Sequence, residues 1–223
     1  MSRESFQQKL DSLESDVAYM SDIVVDRLRT ALSAMEAGDE SVAWQVVNGD
    51  GEVNQLYLDI EQQCIDVLAL QQPVAGDLRF VAASFKILTD LERIGDLATN
   101  LAQYTIDAEK DAYPEVDVQE IGTETIKMVE WAMDAYAERD VEACYDVAAY
   151  DDEIDAKCEH ASQVVVRDLL ESEAGDETDV EAALDAVSRL LLTVRDLERV
   201  GDHAVNIAAR TLYMVENDDE LIY

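Results

Sequence analysis

Residues that break helices or cross-link chains are scarce in this sequence. Its 223 residues include two Pro and eight Gly, so few positions interrupt a regular backbone. There are three Cys (Cys64, Cys144 and Cys158), and the N-terminal residues MSRESFQQKLDSLESD contain no apolar signal region, a combination that indicates reduced thiols in a cytosol. No apolar run approaches the roughly 18 residues of a membrane span. We therefore expect a cytoplasmic protein that reaches a membrane only through a partner.

Positive charge is also scarce. The chain has 16 basic and 51 acidic residues, with a formal net charge of −35 spread over every segment. Such a charge repels itself in dilute buffer, but at molar salt the Debye length falls to about 3 Å and screens the repulsion. We interpret it as adaptation to a salty, halophilic cytoplasm; the alternative is a dedicated cation-binding or DNA-mimicking surface. In either case the surface repels nucleic acid and anionic membranes.

Apolar residues are abundant and regularly spaced. They make up 48% of the chain, which argues against disorder despite the high net charge. They recur at i, i+3, i+4 and i+7 almost throughout, the pattern of amphipathic helices, whereas alternating runs typical of strands are absent from the sequence. The sequence therefore predicts an all-α protein.

The breaks in this pattern divide the chain into six long helices. Short connections favour antiparallel neighbours, so the predicted fold is two tandem three-helix bundles, residues 1–112 and 113–223. Helices of about 35 residues span about 50 Å, which predicts elongated halves. Asp39, Asp140 and Asp179 are predicted N-caps, because a short carboxylate can accept the free N–H groups of a first turn. The predicted helices are 3–37, 40–71, 75–110, 115–138, 141–171 and 178–216.

A segment of the chain occurs twice. Residues 90–104 read DLERIGDLATNLAQY and residues 196–210 read DLERVGDHAVNIAAR, with nine of fifteen positions identical at an offset of 106 residues. A self-match at a fixed period is the signature of a duplicated structural unit. It predicts two similar halves that carry the same polar side chains. Gly95 and Gly201 repeat inside these helices, where Gly costs about 1 kcal/mol, and they suggest close approach of another backbone or a ligand.

The repeated segment places carboxylates and an amide along one line of each helix, because residues four apart stack on one face. Like charges at this spacing repel, so a cation between them would be stabilising. The preceding helix of each half offers a second polar line. Oxygen ligands of this kind suit Mg²⁺, Ca²⁺, Mn²⁺ or iron. The candidate metal ligands are Glu92, Asp96, Asn100, Asp50 and Asn54 in the first half, and Glu198, Asp202, Asn206, Asp151 and Asp155 in the second. The alternative interpretation is a solvated helix face.

Signs of catalysis are missing from the sequence. It contains no Gly-rich phosphate loop, no nucleophile elbow and no Cys/His spacing typical of zinc sites. Glu-x-x-His does not occur, which argues against a ferritin-like di-iron oxidase. Cys64 and Cys158 fall near apolar arcs and are predicted to be core residues. We therefore expect a protein that is not an enzyme.

The repeated D-L-E-R-[IV]-G-D-x-A-x-N, preceded in the first half by QQPVAGDLRFVAASFKI, resembles the PhoU family of phosphate-uptake regulators over essentially the whole chain. The resemblance implies two three-helix bundles with pseudo-twofold symmetry and multinuclear iron or zinc clusters held by E(D)-x-x-x-D pairs. Those pairs correspond here to Glu92/Asp96 and Glu198/Asp202, facing Asp50/Asn54 and Asp151/Asp155. The sequence departs from the family pattern at Asn54, where Asp is usual, so the first cluster is expected to be weaker or smaller.

The same resemblance implies a role. Members regulate phosphate acquisition negatively, contact the ATPase subunit of the phosphate-specific ABC transporter and, in many bacteria, a sensor histidine kinase, and form dimers or larger assemblies. The segment Pro73–Arg79 has no counterpart in the second half, so a partner could recognise one half only. The candidate partner-binding residues are Asp77, Arg79, Arg93 and Arg199.

Two other functions remain open at this point. The chain could be a metal-free helical interaction scaffold with the same fold. It could also be a metal-dependent phosphohydrolase that uses the clusters as a two-metal site, although no base or nucleophile lies beside the carboxylates in the sequence.

Overall fold

The architecture comes from a computed structural model that describes residues 3–71, 75–108, 116–171 and 177–222. These ranges are largely α-helical, and no strand occurs within them. Each helix in the same ranges is too polar or too short to cross a membrane. The helices are α1 (Arg3–Ala37), α2 (Glu40–Asn48), α3 (Asp50–Gln71), α4 (Ala75–Ile106), α5 (Val118–Glu138), α6 (Val141–Glu171) and α7 (Glu177–Glu216).

The prediction of an all-α fold with six long helices is confirmed, with one interruption in the second helix. Gly49 separates α2 from α3 but keeps a helical conformation, with φ −83° and ψ −3°. Its N–H still donates to the carbonyl oxygens of Gln45 and Val46. A Cβ atom on Gly49 would lie 2.7 Å from Nη1 of Arg27, so glycine lets this guanidinium of α1 pass close to the chain. The predicted helix 40–71 is therefore one continuous helical path, interrupted only at Gly49 between α2 and α3.

Helix starts follow the predicted capping carboxylates at two of three positions. Asp39 and Asp140 each accept hydrogen bonds from two backbone N–H groups, at the starts of α2 and α6. The prediction for Asp179 is wrong, because α7 begins at Glu177 and Asp179 is its third residue. A carboxylate inside a first turn is also stabilised by the helix dipole, so the residue pattern does not distinguish the two positions.

Two helices near the middle of the chain are shorter than predicted. The helix predicted to reach residue 110 ends at Ile106, and the one predicted from residue 115 begins at Val118. Asp117 caps that helix by accepting a hydrogen bond from the N–H of Glu120 at 2.8 Å. Residues 109–115, which include the predicted boundary between residues 112 and 113, lie outside the described residues.

The helices pack as two similar halves side by side. In the first half α4 contacts α1, α2 and α3, and in the second half α7 contacts α5 and α6. The halves meet where α4 packs against α7 and α1 packs against α5. Four helices thus form the centre of the molecule, and α2, α3 and α6 flank them. This arrangement places both copies of the repeated segment, on α4 and α7, in the middle.

One apolar core extends through both halves. Tyr136 of α5 is fully buried, its hydroxyl lies 2.8 Å from Oγ of Ser84 on α4, and its ring stacks on that of Phe80. The burial of Cys64 and Cys158 confirms their predicted place in the core. The division into domains 1–112 and 113–223 stays a prediction, because the core crosses from one half to the other.

Gly122 marks a close approach of α5 to α1. A Cβ atom there would lie 2.6 Å from Cδ1 of Leu32, a side chain that is itself buried. We expect Gly122→Ala to lower the free energy of unfolding by about 1–3 kcal/mol, because the added methyl group overpacks the contact between the halves. Urea unfolding followed by circular dichroism in molar salt measures this.

The matched control is Gly51→Ala. Gly51 is an exposed residue of α3, and a Cβ atom there would meet no atom within 4 Å. This variant should be as stable as the original chain or more stable by up to about 1 kcal/mol, because alanine restricts the unfolded chain. Equal stability of the two variants would contradict the close packing described here.

Candidate functional site

Two groups of carboxylates lie where the repeated segment of each half faces the preceding helix. The first acidic group is Asp50 of α3 with Glu92 and Asp96 of α4. The second acidic group is Asp151 and Asp155 of α6 with Glu198 and Asp202 of α7. Both groups contain residues that the sequence predicted as metal ligands. In the first group neighbouring carboxylates raise the pKa of Glu92 and Asp96, and in the second they raise the pKa of Asp151 and Glu198.

The second acidic group is a concentration of negative charge with no compensating cation among the described residues. Burial raises the pKa of Asp151 to about 7, and the charges of Asp155 and Asp202 raise it as well. Burial and the charge of Asp202 also raise the pKa values of Asp155 and Glu198. No cation of the described residues contributes to any of these three shifts. Holding the carboxylates ionised together therefore costs free energy.

One oxygen of this group has no partner among the residues that the structure describes. Oδ1 of Asp151 is buried and accepts no hydrogen bond from the described residues. It faces Gly201, where a Cβ atom would lie 3.0 Å from this oxygen. Gly201 thus permits a close approach by a side chain, whereas the sequence analysis expected another backbone or a ligand there. Buried carboxylate oxygens are normally hydrogen-bonded or bound to a cation.

In the first acidic group, in contrast, neighbouring side chains satisfy Asp50. Oδ2 of Asp50 accepts a hydrogen bond from the amide of Asn54 at 2.8 Å, and Oδ1 accepts one from the hydroxyl of Thr99 at 3.1 Å. Nη2 of Arg27 lies 3.7 Å from Oδ1 of Asp50. Arg27 is itself held by the carbonyl oxygen of Val46 at 2.7 Å.

Cations also act on the other two members of the first group. Burial raises the pKa of Glu92, Asp96 raises it further, and Arg93 lowers it. Burial likewise raises the pKa of Asp96, with Asp50 adding to the rise and Arg199 opposing it. The two groups are therefore similar in composition but different in electrostatics.

The two asparagines of the repeat point across to the other half of the molecule. The amide of Asn100 on α4 donates to Asp196 on α7 at 3.3 Å, and the amide of Asn206 on α7 donates to Asp90 on α4 at 3.4 Å. These reciprocal bonds are not apparent from helical spacing. The assignment of both residues as metal ligands stays a prediction.

Asp90 and Asp196 are the polar residues that the sequence analysis missed. Asp196 is fully buried and accepts hydrogen bonds from Tyr104 at 2.8 Å and from Arg199 at 3.3 Å. Asp90 is also buried, and its Oδ1 lies 2.9 Å from Nδ1 of His203. Their signal in the sequence is their position: each is the first residue of the repeated D-L-E-R, duplicated like its neighbours.

The candidate partner-binding residues lie in different surroundings. Arg93 and Arg199 are exposed and lie near the first acidic group. Asp77 lines a separate cavity of about 220 Å³ together with Arg139 near the start of α4. Arg79 is partly buried, and its Nε has no hydrogen-bond partner among the described residues. The structure thus does not gather these four residues into one surface.

As a metal site, the second acidic group has suitable donors but not a closed geometry. Within the described part of the chain, no three His, Cys, Asp or Glu side chains stand close enough together to enclose a metal ion. Carboxylate oxygens without a counter-cation, one of them buried and unpartnered, are nonetheless the donor set that hard cations require. Rotation of these side chains would be needed to bring the donors together. The first acidic group fits less well, because Asp50 already has partners on both oxygens.

Comparison with known proteins identifies relatives along nearly the whole chain. Residues 17–105 and 118–211 match the family described as "PhoU domain". The chain is 33% identical to the "Phosphate-specific transport system accessory protein PhoU homolog" of Pseudomonas aeruginosa over 97% of this chain and 87% of that protein.

Solved structures agree with the described fold. The crystal structure of PhoU from Pseudomonas aeruginosa matches with a TM-score of 0.86 and 32% identity, over 96% of this chain and 100% of that one. The phosphate transport system regulatory protein PhoU from Streptococcus pneumoniae matches with a TM-score of 0.88 over 96% of this chain and 98% of that one. At 24% identity, the second likeness concerns the fold alone.

The raised pKa of Asp151 makes a pH dependence testable. Since the ordinary value of an Asp is about 3.9, the folded protein binds this proton more tightly between about pH 4 and pH 7. The free energy of unfolding of the metal-free protein therefore falls as pH rises through this window. We expect Asp151→Asn to stabilise the chelator-treated protein by about 1–2 kcal/mol at pH 8, allowing for partial exposure, and by little near pH 4.

Thermal unfolding at both pH values measures this difference. Glu153→Gln is the control, because it removes one charge from an exposed position of the same helix. A gain from Asp151→Asn that is equal at both pH values would show that the stabilisation has nothing to do with ionisation.

Proposed function

The chain belongs to the PhoU family, and we propose that it is an accessory regulator of a phosphate-specific transport system, acting by binding rather than by catalysis. The observation that carries this proposal is similarity over nearly the full length, in sequence and in fold, to a relative named as an accessory protein of phosphate transport. Both copies of the repeat contribute to the match, since the family covers residues 17–105 and 118–211.

The regulation we propose is negative: the protein restrains phosphate uptake when phosphate is plentiful. Its direct partner is the ATPase subunit of the phosphate ABC transporter, so it reaches the membrane only through that transporter and otherwise resides in the cytoplasm. A sensor histidine kinase is a second partner, and the protein acts as a homodimer. Nucleic acid is not a partner, because a net charge of −35 repels the phosphate backbone.

Metal binding is part of the proposal and concerns the second acidic group. Asp151, Asp155, Glu198 and Asp202 would hold an iron or zinc ion or cluster, with Mn²⁺, Mg²⁺ or Ca²⁺ as further possibilities. A bound cation would supply the positive charge that these carboxylates lack. The unpartnered Oδ1 of Asp151 supports this assignment more than any other single atom of the site.

The charge of the second acidic group depends on whether it has bound a cation or a proton. Without a cation its carboxylates repel one another where α6 faces α7, and the pKa of Asp151 near 7 allows a proton to relieve part of that repulsion. The charge on this face, and the free energy of holding the two helices together, therefore depend on what the group has bound. A partner protein that contacts α6 and α7 could recognise this difference.

The regulatory role predicts a change in phosphate uptake. In cells of the source organism that lack this chain, uptake of radiolabelled phosphate at high external phosphate should be several-fold faster than in the parent strain. Returning the gene should restore the slow rate, because the restraint on the transporter returns with the protein. Unchanged uptake in the deletion strain would contradict the proposed role.

Metal binding predicts a loss of bound metal in defined variants. After purification in molar salt, elemental analysis should find iron, zinc or manganese on the original chain and little on Asp151→Asn with Asp202→Asn, because two of the four donors lose their charge. Glu153→Gln with Glu159→Gln is the control, since it removes two charges from exposed positions of α6. Equal metal content in all three proteins would leave the adaptor role standing without a metal at this site.

A further inference from the structure

The two halves of the molecule can be aligned through their central glycines. Next to Gly95 lie Val24 of α1 and Val53 of α3. The corresponding neighbours of Gly201 are Met128 of α5 and Ile154 of α6. This correspondence pairs positions of α1 with positions of α5, and positions of α3 with positions of α6. Counting outward from these contacts pairs Asp50 with Asp151, three residues before Val53 and Ile154.

Three differences between the halves surround this pair of aspartates. Arg27 of the first half corresponds to Trp131 of the second, Asn54 corresponds to Asp155, and Thr99 corresponds to Val205. In the first half all three side chains place a cation or a hydrogen-bond donor near Asp50. In the second half the equivalent positions hold an indole, a carboxylate and an alkyl group. Trp131 packs edge-on against Tyr150, with ring centroids 5.4 Å apart.

A fourth difference explains how Arg27 reaches Asp50. Tyr150 corresponds to Gly49, which also lies one residue before its aspartate. A Cβ atom at Gly49 would lie 2.7 Å from Nη1 of Arg27, so a side chain at this position would compete with the guanidinium for the same space. Gly49 and the buried Arg27 therefore belong to one local arrangement. In the second half the corresponding residues are the aromatic pair Tyr150 and Trp131.

We propose that the first half of this protein holds no metal, because Arg27, Asn54 and Thr99 take the place of a cation around Asp50. Arg27 supplies the positive charge, while the amide of Asn54 and the hydroxyl of Thr99 occupy the oxygens that a metal would need. The two acidic groups thus differ in role: in the first, Arg27 and Asp50 form a permanent ion pair, whereas the second binds cations. The assignment of the second site rests on the proposed function, whereas that of the first rests on contacts in the structure.

The first test removes carboxylates from an otherwise unchanged chain. Metal content after incubation with Mn²⁺ and desalting should be the same for Glu92→Gln with Asp96→Asn as for the original protein. It should fall for Asp151→Asn with Asp202→Asn. A loss of manganese on changing Glu92 and Asp96 would overturn the inference while upholding metal binding as such. This comparison needs no change at the buried arginine.

The second test opens the first site in a chain whose second site has been removed. In the background Asp151→Asn with Asp202→Asn, adding Arg27→Met and Asn54→Asp should restore manganese binding and raise the melting temperature in Mn²⁺. The matched control is Arg29→Met with Asn54→Asp, which leaves Arg27 in place; Arg29 is a more exposed arginine of the same helix. This control should bind no manganese. A variant with Arg27→Lys and Asn54→Asp in the same background should not bind manganese either, since the lysine keeps a positive charge beside Asp50.

The outcomes separate this inference from the proposed function. Manganese binding by the opened variant, together with none by the original chain, would uphold the role of Arg27 and refute metal binding at the second site. Manganese binding by the Arg29 control as well as by the opened variant would show that Arg27 does not exclude a cation. If the opened variant binds no manganese, Arg27 is not what keeps the metal out of the first site, and the inference is overturned.

Discussion

The packing of α4 against α7 is the contact on which the rest of the molecule depends. It brings both copies of the repeated segment to the centre and buries one aspartate from each, Asp90 and Asp196. A buried carboxylate destabilises a fold unless it is hydrogen-bonded, and here each receives an amide from the opposite half, Asn206 and Asn100 respectively. The same repeat thus supplies both the buried charge and the donor that makes it tolerable. This reciprocity requires the two halves to associate.

The position of the acidic groups follows from this central contact. With one face of α4 and α7 committed to the other half and another to the core, the remaining carboxylates of the repeat face α3 and α6. Those outer helices approach closely because Gly95 and Gly201 leave room for their side chains. A few surrounding residues then determine whether the carboxylates of each group are paired with neighbouring side chains or are available to a cation. In the first half Arg27 and Thr99 contact Asp50, whereas in the second half Oδ1 of Asp151 has no partner in the described ranges.

Much of the fold was predictable because its signals are local. Helical periodicity and the scarcity of Pro and Gly indicate helices, and Asp39 and Asp140 mark helix starts through bonds to their own neighbours. Where two local explanations were equally good, as for Asp179 before or inside a first turn, the prediction was wrong. The carboxylates of the two acidic groups were identified for the same reason, since spacing by four residues is visible in one helix. Asp90 and Asp196 were missed because the asparagine amides that donate to them lie 116 and 96 residues away.

The sequence by itself determined that the chain is helical, duplicated and strongly acidic, and that each half carries a line of carboxylates. These properties depend on composition, on periodicity and on a repeat, none of which requires knowledge of distant contacts. Only the tertiary structure decided that the two acidic groups are unequal. The reason is that charge compensation depends on which side chain of another helix reaches the carboxylate: Arg27 reaches Asp50 from α1 past Gly49, whereas the corresponding Trp131 packs against Tyr150.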